Sequence, residues 1–367
     1  MQSIESTVAA TESGVNEPLV ATVRDVIDFV SEVVLPMLED YGDRKRFGDV
    51  RFRLREEASF NASVLALGPG QFVVYLNTGV ADELFSLLAR GATLDPSLIR
   101  QHLTECEEQA GLDVDAALTL SFVAAVVFFL LHEVFHALAG HVAYTAADPL
   151  APTSPAAHDA LEKPSVPMLL ELEADGAAWE TTLGFTAEIF ATVTDSAPLP
   201  ATGRAAIDRA VMLGCLGGIA LLDALPGRSR ESRTPYPFPG VRVLNACSAS
   251  ARALMRGALA SRSDRAALDR DTLDVEALLV RYRESVVPAV LLVDELLAAR
   301  FGAAPFLTRG AREDADDPLT ALSQDITLVL GGGLPHHSPA GRTLARFAAE
   351  HERFVAELAP YRKIDLW

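Results

Sequence analysis

The stretch Ser121–Tyr144, SFVAAVVFFLLHEVFHALAGHVAY, decides how the rest of this sequence is interpreted. It begins as a nearly unbroken apolar run and ends in the spacing His132-Glu133-x-x-His136. Residues four apart lie on one face of a helix, so both imidazoles can point at a common centre. Two such histidines provide two ligands of a tetrahedral zinc site. Glu133 lies about 100° around the helix and can reach a water molecule at that centre.

The alternative is that these histidines are satisfied core residues on a buried helix. Two features favour the metal hypothesis. The motif ends a helix that is too apolar to lie on a surface, where polar side chains need partners. A third ligand is also available in the later segment Leu169–Trp179, LLELEADGAAW, in which Glu171 and Asp175 share a helical face while Glu173 lies on another.

Glu171 would complete a site of two histidines and one carboxylate, with one position left for water. The apolar residues around it predict that its helix is packed inside the protein, where a carboxylate needs a cation. Asp175, one helical turn later, would then hold the other ring nitrogen of His132 and fix the orientation of that ligand.

HEVFHALAGH followed by ELEAD resembles the gluzincin metallopeptidases, in particular the CAAX-prenyl-protease type and its small soluble relatives. The Lit-type phage-exclusion peptidases and the peptidases that cleave phage or damage-response repressors share the same pattern. The resemblance implies one Zn²⁺ per chain and a protein or peptide substrate. The resemblance assigns His132, His136 and Glu171 as the metal ligands. It assigns Glu133 as the general base and Asp175 as the partner of His132.

The sequence departs from this family at Phe135, where many members carry glycine. Two turn-like segments, Tyr-Pro-Phe-Pro-Gly-Val-Arg and His-His-Ser-Pro-Ala-Gly-Arg, resemble the turn that follows the ExxAD helix in CAAX-type relatives. One interpretation is structural, with proline fixing the turn and arginine anchoring it to a carboxylate. The other is stabilisation of the oxyanion of the tetrahedral intermediate or, for the adjacent histidines, an accessory metal site. The candidates for structural or transition-state roles are His141, Tyr236, Arg242, His336 and His337.

Composition narrows the functional classes. The 367 residues are 50% hydrophobic and 22% charged, so the chain can bury a core. Its formal net charge of −19 argues against nucleic acid or an anionic membrane as a partner. Three cysteines at no metal-like spacing indicate reduced thiols, and the polar, acidic start lacks the pattern of a signal peptide. We therefore expect a cytoplasmic protein.

The apolar run Ala116–Leu131 raises the question of a transmembrane span. It has only 16 residues and leads directly into the HExxH motif. A membrane span needs about 20 apolar residues, so the run predicts a buried core helix rather than a span.

The patterns predict an α+β, predominantly helical fold. A helix over Leu19–Leu38, bent or ended at Pro36, precedes a small antiparallel sheet that packs on the HExxH helix. An edge strand of this sheet can hold an extended peptide, although an ordinary structural sheet is the alternative. A helical bundle follows. The predicted organisation is a disordered tail at 1–18, a gluzincin-like catalytic core at 19–200 and a helical part at 201–367 that packs on the core.

The function predicted from the sequence is therefore a zinc-dependent endopeptidase with a metal-activated water and Glu133 as base. Three alternatives stay open: a catalytically inactive gluzincin-like binding protein, a phage-defence or repressor-cleaving peptidase, and a non-peptidase hydrolase with the same site. The sequence leaves the substrate and the oligomeric state open, because specificity pockets are built from dispersed side chains.

Overall fold

The computed structural model describes residues 17–41, 48–94, 103–104, 106–147, 166–194, 203–225, 239–249, 251, 275–301 and 318–362. The predicted tail at 1–18 therefore lies almost entirely outside the described residues. The division at residue 200 remains a prediction, since buried apolar side chains from both sides of it belong to one continuous hydrophobic cluster.

The first helical segment consists of α1 (Glu17–Phe29), a π-helical turn (Val30–Val34) and α2 (Leu35–Tyr41). Its apolar residues recur at helical spacing and are buried, as the sequence predicts. The chain stays helical through Pro36, so the proline does not end the helix. A proline ring clashes with the carbonyl four residues earlier, and here that carbonyl belongs to the wider π turn, where Leu35 N–H donates to Val30 O.

Three strands form the sheet: β1 (Asp49–Arg55), β2 (Ala62–Gly68) and β3 (Gln71–Asn77), in the order β1-β3-β2. β2 and β3 form the expected antiparallel hairpin, closed by Pro69 and by Gly70 at a φ of 70°.

The prediction of an antiparallel sheet is wrong for β1, which pairs with β3 in parallel. The physical reason is burial. The apolar β3 is the most buried strand, whereas Leu65, Ala66 and Leu67 of β2 are exposed. β3 is therefore central, and β1 lies on its other side.

The sheet is followed by α3 (Thr78–Leu94), α4 (Val114–Leu138), α5 (His141–Ala147), α6 (Val166–Gly184), α7 (Thr186–Val193) and α8 (Arg204–Ala224). α4 lies at the centre, with α1, α3, α5, α6, α7, α8 and strands β2 and β3 packed around it. Asp113 caps its first turn by accepting a hydrogen bond from Ala116 N–H at 2.7 Å. Nearly every α4 residue from Ala117 onward is buried, so this helix organises the core.

The remaining elements are helical residues 239–249 (α9), α10 (Val275–Phe301), α11 (Pro318–Leu330), α12 (Pro339–Leu358) and the 3₁₀ turn Ala359–Tyr361. α8 packs between α4 and α10. Gly214 permits this, because a side chain there would collide with the backbone of Ser121 in α4. The prediction of an α+β, mostly helical fold with a small sheet near its start is confirmed.

Two helices, α4 and the Arg204–Leu222 part of α8, are long and apolar enough to cross a membrane by length and composition. In α4 78% of the apolar window is buried inside the fold, and in α8 83% is buried. Their apolar surfaces are therefore used mainly in packing within the chain.

Candidate metal centre

The last two turns of α4 and the middle of α6 bring three potential ligands together. His132 Nε2 and His136 Nε2 lie 3.0 Å apart, as expected for two side chains one helical turn apart. Glu171 approaches both, with Oε2 3.3 Å from His132 Nε2 and Oε1 3.5 Å from His136 Nε2. The sequence prediction of these three residues as one cluster therefore agrees with the geometry.

These distances suit a small tetrahedral cation. Zinc bonds of about 2.0–2.1 Å at tetrahedral angles separate neighbouring ligand atoms by about 3.3 Å, close to the three distances above. Glu171 Oε2 is moreover buried without a hydrogen-bond partner among the described residues. A buried carboxylate oxygen without a hydrogen-bond partner is costly unless a cation satisfies it. The donor set therefore fits a tetrahedral cation such as zinc, and three protein ligands leave one of its four positions unfilled.

An Asp–Arg pair supports His132 from behind. His132 Nδ1 lies 3.0 Å from Asp175 Oδ1, within ion-pair distance, although the direction of the ring nitrogen does not give a regular hydrogen bond. Arg242 of α9 donates to both oxygens of Asp175, from Nε at 2.6 Å and from Nη2 at 2.5 Å. Arg242 and Asp175 are both fully or almost fully buried, so each charge is neutralised by the other. We call His132, Asp175 and Arg242 the first arm.

A longer chain of contacts supports His136. Its Nδ1 lies 2.8 Å from Nδ1 of His141, the first residue of α5. The other nitrogen of His141, Nε2, lies 3.0 Å from Glu173 Oε2, and Glu173 Oε1 accepts a hydrogen bond from Arg362. The Glu173 side chain is completely buried, and that of Arg362 is 8% exposed. We call His136, His141, Glu173 and Arg362 the second arm.

The electrostatics of the two ligand histidines differ. Burial disfavours the charged form of both, but the carboxylates of Asp175 and Glu171 outweigh burial at His132 and raise its pKa to about 10. At His136 burial dominates and lowers the pKa to about 3. Without a metal, His132 is therefore the imidazole of the pair that favours the positively charged form, and a bound cation would take the place of its additional proton.

Both carboxylates are held in the ionised form. Burial alone would raise the pKa of Asp175, but Arg242 and His132 outweigh it and lower the value to about 2. The pKa of Glu171 also lies below its ordinary value, because the neighbouring His136 and His132 outweigh burial. Ionised carboxylate and neutral imidazole are the forms that bind metal.

Glu133, the predicted base, is almost buried on the same turn of α4 as His132. Its position next to a ligand is the one that the motif predicts. His141 and Arg242, which the sequence offered for either a structural or a transition-state role, are buried in contact with His136 and Asp175. Their contacts support the structural interpretation.

The other candidates lie elsewhere. His336 and His337 are exposed in the turn before α12, with ring centroids 4.2 Å apart. Their backbone N–H groups both donate to Asp325 Oδ1, at 2.7 and 2.9 Å, so their described contacts belong to the α11–α12 connection. Tyr236 lies outside the described residues.

Sequence reasoning missed Glu173 and Arg362. Glu173 carried a usable signal, since it lies in the same apolar helix as Glu171 and a carboxylate there needs a buried partner. Arg362 carried no comparable signal, because it follows α12 and is 189 residues from Glu173 in sequence.

Comparisons of this chain with family models, with curated proteins and with solved structures found no match. The residues of the site themselves define its class: a largely buried candidate metal centre of two histidines and one carboxylate at the end of a core helix.

Proposed function

We propose that this protein is a zinc-dependent peptidase. The observation that carries the proposal is the cluster of His132 Nε2, His136 Nε2 and the Glu171 carboxylate, with Glu133 beside it on α4. This donor set is typical of catalytic zinc, which uses three protein ligands and keeps one position open. A structural zinc site would instead close all four positions with protein ligands.

Zinc, when bound, would polarise the scissile carbonyl and lower the pKa of the attacking water. The Glu133 carboxylate would take the proton of that water and transfer it to the leaving amine. His132 and His136 would present Nε2 to the cation, because their Nδ1 atoms face Asp175 and His141. The two arms would thus fix the ligands, while Glu133 moves the proton.

An outer strand supports a peptide as the substrate. β2 lies at an edge of the sheet and packs on α4 and α5, the helices that carry the HExxH motif and His141. Within the described sheet its second edge has no neighbouring strand, so it can add an extended peptide by backbone hydrogen bonds. Leu65 and Leu67, exposed on this strand by 49% and 59%, offer apolar contacts.

The decisive experiment compares three zinc-loaded proteins on a pool of internally quenched peptides: wild type, Glu133→Gln and Glu295→Gln. Glu295 is exposed on α10 and is the matched control. Glu133→Gln should keep one zinc per chain but lose roughly 10²–10⁴ in rate, because an amide cannot accept the proton. The control should keep the wild-type rate. Failure of the zinc-loaded wild type to cleave any peptide, or equal cleavage by Glu133→Gln, would overturn the proposal.

A further inference from the structure

The second arm has an unusual end point. Both nitrogens of His141 and both oxygens of Glu173 have a partner in this chain of contacts, and the last partner is Arg362. Arg362 follows the 3₁₀ turn after α12, far from α4 and α6 in sequence. The metal centre is thus in contact, through two intermediate side chains, with a segment that contributes no ligand.

The donors and acceptors along this arm fit only one direction when His136 binds a cation. His136 then uses Nε2 for the metal and carries its proton on Nδ1, which donates to His141 Nδ1. His141 must carry its own proton on Nε2, which donates to Glu173 Oε2. Glu173 Oε1 accepts from Arg362. The guanidinium of Arg362 therefore neutralises Glu173, the carboxylate that sets the direction of the hydrogen bonds along the arm.

The burial of Glu173 makes this guanidinium necessary. Its side chain is fully buried, and an ionised carboxylate in such a place needs a charged partner. Without Arg362 the Glu173 side chain would lose the hydrogen bond to its Oε1, and its orientation toward His141 would no longer be fixed. The position of His141 Nδ1 against His136 would then be less well defined, so His136 would lose the acceptor that orients its ring.

The segment that carries Arg362 is docked against the motif itself. The Tyr361 ring packs edge-to-face on Tyr144 of α5, with centroids 5.5 Å apart, and Phe354 of α12 packs on Tyr144 at 5.6 Å. A Cβ atom at Gly140 would lie 2.5 Å from the Tyr361 backbone, so the 3₁₀ turn lies directly on the α4–α5 connection. This packing fixes the position from which Arg362 reaches Glu173.

We propose that Arg362 is a positioning residue for the ligand His136, acting through Glu173 and His141, so that docking of the segment after α12 sets the affinity of the metal centre. The inference rests on the proposed metal site but not on peptide hydrolysis. It predicts a change in metal binding from a substitution two side chains away from the nearest ligand.

The test uses the full chain and two metals, zinc and cobalt. Zinc affinity is measured by competition with a chelator, and the visible spectrum of the cobalt-substituted protein reports the geometry around the metal. Arg362→Gln should lower zinc affinity about tenfold, the lower end of the loss for an outer partner of a ligand, and should shift the cobalt bands. Arg362→Lys, which keeps the charge, should restore part of the affinity. Arg342→Gln is the matched control, since Arg342 is exposed on α12 and donates to the His336 and His337 carbonyls.

A double variant separates positioning from loss of fold. If Arg362 acts through Glu173, Glu173→Gln should give a similar cobalt spectrum, and the double variant should cost no more than the worse single variant. This comparison also holds if Arg362→Gln alone folds poorly, because Glu173→Gln removes the buried charge that Arg362 compensates.

Three outcomes would contradict the inference, and they can be told apart. Equal zinc affinity and identical cobalt spectra for Arg362→Gln, Arg342→Gln and wild type would overturn this inference while leaving the peptidase proposal intact. A wild-type protein that binds no zinc would instead overturn both. Losses of zinc affinity that add up in the double variant would also overturn this inference, because Arg362 would then act independently of Glu173.

Discussion

The two arms behind the candidate metal ligands both support a histidine with a carboxylate and an arginine, but over different distances. In the first arm the carboxylate of Asp175 lies directly on His132 and is one helical turn from Glu171. In the second arm a histidine is inserted between the ligand and the carboxylate, and the balancing arginine comes from 189 residues away. Both end in an Arg–carboxylate pair. The comparison teaches that a buried carboxylate that holds a ligand needs its own cation, wherever the chain can supply it.

Removing one of the two ligand histidines should abolish the metal site that both arms support, which is the largest expected effect. His136→Ala should abolish stoichiometric zinc binding, because only two ligands remain and the second arm loses the ligand that it holds. Elemental analysis of the desalted protein measures this directly, with the exposed His337→Ala as the matched control. Equal zinc content in the two variants would show that the cluster is not the metal site.

Arg242, the arginine of the first arm, should contribute to the stability of the fold even when no metal is bound. Arg242→Met leaves the buried Asp175 without its bidentate partner, and breaking a buried pair in this way costs about 3–5 kcal/mol. Urea unfolding of the metal-free protein measures the loss. The exposed Arg342→Met should change stability by less than about 0.5 kcal/mol. A similar small change for Arg242→Met would mean that water or another group compensates Asp175.

The smallest expected effect is the difference in zinc affinity between a variant of the first arm and a variant of the second. Asp175→Asn should weaken zinc binding by about 10- to 100-fold, because it removes the carboxylate in direct contact with His132. Arg362→Gln acts through two further side chains and should cost less. Chelator competition on both variants measures the two losses of zinc affinity. A larger loss for Arg362→Gln than for Asp175→Asn would contradict this prediction.

The ligand cluster could be predicted from the sequence because its geometry is local. His132 and His136 are one turn apart on one helix, and so are Glu171 and Asp175, so the helical period alone places each pair on one face. The fold class followed from the apolar patterns in the same way. The helical period does not show that the two helices meet. Their contact is predicted because a buried carboxylate needs a cation.

The rest depended on pairings that no local pattern encodes. Glu173 was placed on another face of α6, which says nothing of what that face contacts, and Arg362 is one of many arginines in the sequence. The parallel pairing of β1 was missed for a similar reason. Which strand is central depends on how much surface each buries against the helices, and this is a property of the assembled core.

Gly140 shows how the spacing of the motif is set. On an uninterrupted helix a residue five positions after His136 would point about 140° away from it. Gly140 has a φ of 84°, a left-handed conformation that ends α4 and redirects the chain before α5. His141 therefore lies back against His136, and the absence of a side chain at Gly140 leaves the space that Tyr361 fills. The five-residue interval between these histidines is thus a property of a turn, and inserting or deleting one residue there would separate the two rings.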